Sequence, residues 1–385
     1  MRVPVTAYAL CNALGATTAE VIDSLRQGRS GLAPCPLEVP FATFSGAVPE
    51  PLDPPGPSLQ AYDTRLLRIC LRSLDELPLE ALKRKRGADR VAIILGTSTA
   101  GIAETERAWG VRKRTGALPP GYDWRRHHAC GALLEAVRAR TGFTGPGFIV
   151  STACSSSAKA FASAQRLLDA GLCDAALVGG VDSLCQTTLR GFQSLEVLAK
   201  DPCRPFAQDR KGISIGEGCA LALLERDGEA AAAFLGAGET SDAHHMTAPH
   251  PQGLGAKAAM EEALRSAGLT AANVDHVNAH GTGTVLNDAA ESLAIRALFE
   301  DKVPVVSTKG YTGHLLGAAG ATEAIFSVVA LEQGWIPASL GAAPLDPSLG
   351  IWVPQEMLTR RSRVVLSNSL AFGGSNVSLA FGAGA

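Results

Sequence analysis

Phe148-Ile149-Val150-Ser151-Thr152-Ala153-Cys154-Ser155-Ser156-Ser157, with the alanine-rich run that follows it to Leu168, decides how this chain is read. An apolar, β-branched segment halts at small hydroxyl residues. It resumes as Ala158, Phe161, Ala162, Gln165 and Leu168, the spacing of a helix face. Strand, sharp turn and buried helix follow, with Cys154 at the turn. A thiol beside the free N–H groups and positive dipole end of a helix is expected to ionise more readily than a free one. Taken alone, the stretch also fits a small cysteine packed between strand and helix.

The surrounding composition is that of a folded globular protein. With 385 residues, 46% hydrophobic and 19% charged, the chain can bury a large core, and its length allows two or three domains. A net charge of −2 provides no basic face for nucleic acid. The nine cysteines are odd in number, scattered and without a CxxC pair, which argues against a disulfide framework or zinc module and fits a reducing cytoplasm. No signal-peptide pattern follows Met1 and no apolar run approaches ~18 residues, so neither export nor a membrane span is expected.

Working outward, strand and helix alternate. A strand is expected over 2–10 and a helix over 17–25, followed by a proline-rich excursion over 32–60, a helix over 62–77 and a strand over 90–96. Residues 110–128 read as a second polar excursion carrying Arg112, Lys113, Arg114, Arg125 and Arg126. Beyond the Cys154 helix, 175–181 is a buried strand, 203–218 a loop and 219–224 a strand. The rhythm restarts at Ala231: helices over 255–267, 286–299 and 317–333, strands over 274–278, 303–307 and 364–367. Two α/β halves, 1–228 and 229–385, are therefore expected. Val150-Ser151-Thr152-Ala153 and Leu366-Ser367-Asn368-Ser369 hint at an internal duplication.

Reactive groups collect at strand ends in α/β folds, where the sheet fixes the origin of a free loop. Three ends besides Cys154 stand out. Asn278-Ala279-His280-Gly281-Thr282-Gly283-Thr284, with Asp288 beyond, sets an imidazole on a Gly-Thr turn. Lys309 to Gly320 sets an ammonium and His314 around another, and Phe372-Gly373-Gly374 offers backbone N–H groups to an anion. Each turn alone has a purely structural reading; four together do not. Paired histidines at 127–128 and 244–245 raise a metal hydrolase as a rival, but no HExxH or comparable ligand spacing exists and no metal is expected.

These runs, with Thr152-Ala153-Cys154-Ser155-Ser156 and Ser241-Asp242-Ala243-His244-His245-Met246-Thr247, make the chain resemble an elongating β-ketoacyl-acyl-carrier-protein synthase of the thiolase superfamily over nearly its whole length. The resemblance implies a duplicated five-layer α-β-α-β-α fold and a decarboxylative Claisen condensation. Cys154 is the implied nucleophile, with the N–H groups of Cys154 and Phe372 as oxyanion hole. His280 and His314 are implied donors to an enolate, Lys309 tunes them, and Glu323 and Asp288 support the network. Thr282 and Thr284 would hold a pantetheine arm, with His245 and Thr247 at its mouth and Thr99 near the acyl pocket. Acyl carrier protein is the implied partner, for which Arg112, Lys113, Arg114, Arg125, Arg126, Arg210 and Lys211 are candidate contacts. The resemblance also implies a dimer, with an identical chain or a related ketosynthase-like one, and no cofactor.

Thiolases and starter-unit synthases use Cys-His-Cys and Cys-His-Asn sets, so a second histidine at 314 favours the elongating class. A non-catalytic, chain-length-determining copy would lack the nucleophile. Ala207 stands where an Asp is usual, and Leu370-Ala371 where Phe-Gly is usual. These departures leave fatty-acid-type and specialised aryl polyene or polyketide elongation both open.

Overall fold

A computed structural model describes residues 2–384. The strands in chain order are β1 Val3–Asn12, β2 Leu32–Pro34, β3 Phe44–Gly46, β4 Val91–Gly96, β5 Gly147–Val150, β6 Ala175–Asp182, β7 Ile215–Gly216, β8 Gly218–Glu225, β9 Ala232–Ser241, β10 His276–Asn278, β11 Val305–Val306, β12 Val364–Ala371 and β13 Ser375–Ala383. Ten of them run in the order β11-β10-β12-β13-β9-β1-β8-β6-β4-β5, while β2, β3 and β7 form a small separate sheet. The long sheet is two five-stranded units joined through a short β1–β9 pairing at Val3–Phe234 and Pro4–Ala233.

Each unit has the same plan. Numbered within its half, the order is third, second, fourth, fifth, first in both, with β4 parallel to β5 and β6, and β10 parallel to β11 and β12. The fourth–fifth and fifth–first pairings are antiparallel in both. This repeat matches β5 with β11, not with β12. The duplication anticipated between Val150-Ser151-Thr152 and Leu366-Ser367-Asn368 therefore lies instead between Val150-Ser151-Thr152 and Val306-Ser307-Thr308.

Two helices, Ser156–Asp169 and Ala319–Gln333, fill the space between the units. Their alanine-rich sequences suit that place: small side chains let a helix lie against a sheet on either side, and Ala319–Leu331 is buried throughout. Phe161, on the first of these helices, packs on Phe234 of β9 and Phe381 of β13, with ring centroids 5.4–5.9 Å apart across the three, and so locks that helix to the second unit. Outer layers complete the five. Helices Arg65–Asp75 and Cys130–Thr141 cover the first unit, and Leu254–Ala267 and Val285–Phe299 cover the second. This is the thiolase-like fold.

The structure differs from the sequence reading in several elements. Residues 110–115 are no excursion, since Ile102–Thr115 is a continuous helix ended by Gly116 in the left-handed region. Arg112, Lys113 and Arg114 in its last turn are exposed, which hid the helical period. Strands β9 and β13 went unread because small Gly, Ala and Ser residues blur their alternation.

Candidate functional site

The end of β5 is a forced turn. Ala153 takes a left-handed φ of 51°, an uncommon choice for a residue with a Cβ. Ser156 holds it there, donating its hydroxyl to Ala153 O at 2.6 Å and accepting from Thr152 N at 2.9 Å. Cys154 is thereby lifted from the strand and turned toward the second half.

There it meets three side chains from two strand ends. Cys154 Sγ lies 2.9 Å from His314 Nε2, and the rings of His280 and His314 stand 5.1 Å apart, nearly perpendicular at 83°. Cys154, His280 and His314 each offer a donor atom within 4.8 Å of the others, and all are buried. Lys309 closes the set behind them, with Nζ 3.3 Å from His280 Nδ1 and in contact with His280 O and Glu323. The ammonium occupies Nδ1, so the proton of neutral His280 sits on Nε2. Burial first, then Lys309, holds both histidines well below the ordinary imidazole range; His314 adds to the effect on His280. Glu323 balances Lys309, and its burial lifts it to about 7.

The thiol departs from expectation. Burial drives Cys154 up to about 11, against the lowering effect of Lys309 and of the Phe372 and Cys154 N–H groups; Asp182 raises it further. The helix starts only at Ser156, and Cys154 is 6% exposed, so desolvation outweighs the dipole end. At rest the cysteine is a neutral thiol in contact with an imidazole. The two N–H groups facing Sγ are those anticipated as an oxyanion hole.

A cavity of about 280 Å³ opens from Cys154, His280 and His314 to the surface. Thr282, Thr284, His245, Thr247 and Phe372 line it, as does Lys211. Thr99 does not: its N–H and Oγ1 both bind Asp182, at 3.1 Å each. Asp288 lies behind the cavity wall rather than on it. It is buried, accepting from Phe206 N at 2.9 Å and Gly283 N at 3.2 Å, which fixes the turn below Thr282 and Thr284. Arg210 is a second correction. It is buried, with Nη1 2.7 Å from Asp346 and Nε 3.5 Å from Asp288, and presents nothing to a partner. Arg112, Lys113, Arg114, Arg125 and Arg126 are exposed but off the cavity.

Two buried carboxylates escaped the sequence reading. Asp182, at the end of β6, accepts from Thr97 Oγ1, Ser98 N, Thr99 N, Thr99 Oγ1 and Gly317 N at 2.6–3.1 Å. Gly317 can donate only because it lacks a Cβ, which would lie 2.5 Å from Ser98 N. Glu291 accepts from His280 N and Gly281 N at 2.8 Å each, and from Asn368 Nδ2 at 3.2 Å, so it positions the His280 turn. A carboxylate closing the all-apolar strand 175–181 was a readable signal; for Glu291 the only signal was its place on an apolar helix.

Comparisons agree with the geometry. Residues 1–230 match the N-terminal domain of beta-ketoacyl synthase and residues 231–343 its C-terminal domain. The chain is 33% identical to Nodulation protein E of Rhizobium meliloti (strain 1021), covering 99% of this chain and 98% of that one. It is 34% identical to 3-oxoacyl-[acyl-carrier-protein] synthase 2 of Mycobacterium bovis (strain ATCC BAA-935 / AF2122/97), covering 85% of each. Among solved structures, a ketosynthase (ApeO) in complex with its chain length factor (ApeC) from Xenorhabdus doucetiae superposes with a TM-score of 0.92, at 37% identity over 99% of this chain and 98% of that one.

Proposed function

The chain belongs to the β-ketoacyl synthase family of the thiolase superfamily, and from that premise we propose that it elongates an acyl chain held on Cys154 with malonyl-acyl carrier protein, giving 3-oxoacyl-acyl carrier protein. Ketosynthases of this family are acyltransferases that extend chains by Claisen condensation. The observation that carries the reading is the convergence of Cys154 Sγ on His314 Nε2 at 2.9 Å, with His280 beside it and Lys309 behind.

Each step has a group in reach. Cys154 passes its proton to His314 as sulfur attacks the acyl thioester, and the N–H groups of Cys154 and Phe372 receive the oxyanion. The carrier leaves as its thiol, taking that proton. A malonyl thioester then loses CO₂, and the bond electrons pass to the thioester oxygen as an enolate. The Nε2–H of neutral His280 suits that oxygen, and the Lys309–His280 contact fixes this tautomer; His314, whose Nε2 is bare once the thiol has left, becomes a second donor when its ring proton moves from Nδ1 to Nε2. The enolate carbon attacks the Cys154 thioester and releases the cysteine sulfur. Nucleophile, donors and electron source all belong to protein or substrate, so the reaction uses no cofactor.

A non-catalytic, chain-length-setting role is disfavoured by the complete Cys-His-His set. Pairing with a second ketosynthase-like chain fits β5, an edge strand whose Phe148 is 39% exposed. The pathway, fatty-acid-type or aryl polyene and polyketide-type, is separable by turnover of saturated against conjugated acyl-carrier proteins.

The test is mass spectrometry of Cys154 after incubation with acyl-carrier protein, beside product assay. Cys154→Ala should abolish both acylation and condensation. His280→Ala should cut decarboxylation by about 10²–10³ while leaving acyl transfer, and His314→Ala should slow both, because its Nε2 touches the sulfur. Acylation that persists without Cys154 sinks the assignment.

A further inference from the structure

Lys211 is the one Lys or Arg among the described residues lining the cavity that reaches Cys154. Its ammonium is exposed, and no hydrogen bond or ion pair with a described residue engages it. The backbone beneath it is fixed on both sides. Immediately before it, Arg210 is buried against Asp346 and Asp288. Immediately after it, Gly212 donates its N–H to Gly283 O at 3.0 Å. Lys211 is thus strapped to the turn that carries Thr282 and Thr284. Burial of Arg210 forces its neighbour outward, so the cation is held at the lip on a rigid base.

The other charges at the lip are acidic. Asp242 is already engaged by Asn376 Nδ2 at 2.9 Å and His250 N at 3.3 Å. Glu196 is exposed, and its segment runs beside that of Lys211: Ile213 donates to Val197 O at 2.8 Å, and Leu198 and Ile213 bridge in parallel. No ion pair joins Glu196 to Lys211. The lip therefore holds one uncommitted cation, which welcomes an anion at a single point, beside one uncommitted carboxylate, which opposes it.

We propose that Lys211 anchors the phosphate end of the phosphopantetheine arm while the other end of the arm delivers its thioester to Cys154. The proposal rests on the ketosynthase reading and adds to it how the arm is held. An ammonium supplies a point charge and three donors to a phosphate oxygen. Glu196 competes for it, which keeps the grip weak enough for one carrier to leave and the next to enter. Of the seven basic residues singled out from the sequence, Lys211 alone stands at the mouth.

The experiment compares octanoyl-phosphopantetheine with octanoyl-pantetheine, which lacks the phosphate, following acylation of Cys154 by mass spectrometry. In the wild type, KM for the phosphorylated thioester should be lower by about five-fold at low salt, the size expected of one exposed pair. That advantage should fade above about 0.15 M ionic strength. Lys211→Gln should collapse the ratio to near one, Lys211→Arg should retain it, and Glu196→Gln should enlarge it. An unchanged ratio in Lys211→Gln overturns the anchor and leaves the ketosynthase reading standing. Failure of both thioesters and of acyl-carrier protein to acylate wild-type Cys154 overturns that reading, and the anchor with it.

Discussion

The two halves share a sheet order and a Val-Ser-Thr run at the end of the third strand, yet one continues as Ala153-Cys154 and the other as Lys309-Gly310. Their second strands diverge in the same way. After β4, Thr97, Ser98 and Thr99 close onto Asp182, a carboxylate from the neighbouring strand. After β10, His280 and Gly281 close onto Glu291, a carboxylate from the covering helix. Anchoring from the strand ties the first loop down and leaves it chemically silent. Anchoring from the helix holds the second loop by its backbone alone, and its imidazole is free to face the cavity. The scaffold was copied; the chemistry lies in what each copy placed at its strand ends.

The sharpest division concerns the thiol. With Cys154 at about 11, its ionised share at pH 7 is about 10⁻⁴, some hundredfold below that of a cysteine at the ordinary value of 9.0. A raised value means the neutral form persists to higher pH. Modification of Cys154 by iodoacetamide, read by peptide mass spectrometry, should climb about tenfold per pH unit from 7 to 10. A plateau below pH 8 would mean that the second half ionises the nucleophile at rest, and the division of labour would fail.

The two carboxylates give a smaller and more even contrast. Asp182 accepts five hydrogen bonds and Glu291 three. Asp182→Asn turns one acceptor into a donor facing N–H groups and should cost about 2–3 kcal/mol, whereas Glu291→Gln should cost about 1 kcal/mol. Burial raises the pKa of both in the folded state, so neutralising either recovers some desolvation energy. Urea midpoints measure the difference. Activity should run the other way, since only Glu291 positions His280: condensation should fall more in Glu291→Gln than in Asp182→Asn. Equal losses of activity would show that the loops are coupled rather than separately anchored.

This contrast also explains what the sequence could reveal. Cys154, His280, Lys309 and His314 were legible because each follows an apolar strand with a short, small-residue turn, and strand ends converge in such folds. Asp182 and Glu291 act on backbone N–H groups, which leave no pattern of residue types. Arg210 looked like any surface arginine because its partners, Asp288 and Asp346, are distant in sequence. The depressed thiol pKa drawn from the helix end was local reasoning, and burial by the other half outweighed it. Strands β9 and β13 were missed because their small Gly, Ala and Ser residues erase the apolar–polar alternation that marks a strand in sequence.

The smallest expected effect lies where the connections between fourth and fifth strands meet. In the first half this connection is the long stretch 183–217, carrying Phe192; in the second it is the tight turn 372–374. Phe192 and Phe372, one from each, touch with ring centroids 5.7 Å apart and wall the cavity. Ala371, which replaces the glycine usual before this phenylalanine, pairs with Ser375 as the last residue of β12, and its φ is not in the left-handed region. The conformational freedom sits one and two residues beyond Phe372 instead, at Gly373 with φ 84° and Gly374 with φ 76°. Met246 O and Asp242 N hold that turn through hydrogen bonds of 2.7 and 2.8 Å. A swing of Phe372 that admits an acyl chain should therefore pivot on Gly373 and Gly374, with Ala371 staying in the ladder. Ala371→Gly should change pre-steady-state acylation of Cys154 by less than about two-fold. Gly374→Ala penalises the resting turn by about 1 kcal/mol and should speed entry of long acyl chains by up to about five-fold. If Ala371→Gly accelerates acylation more than Gly374→Ala does, the pivot lies at the strand end, and the replacement at 371 is what restricts this turn.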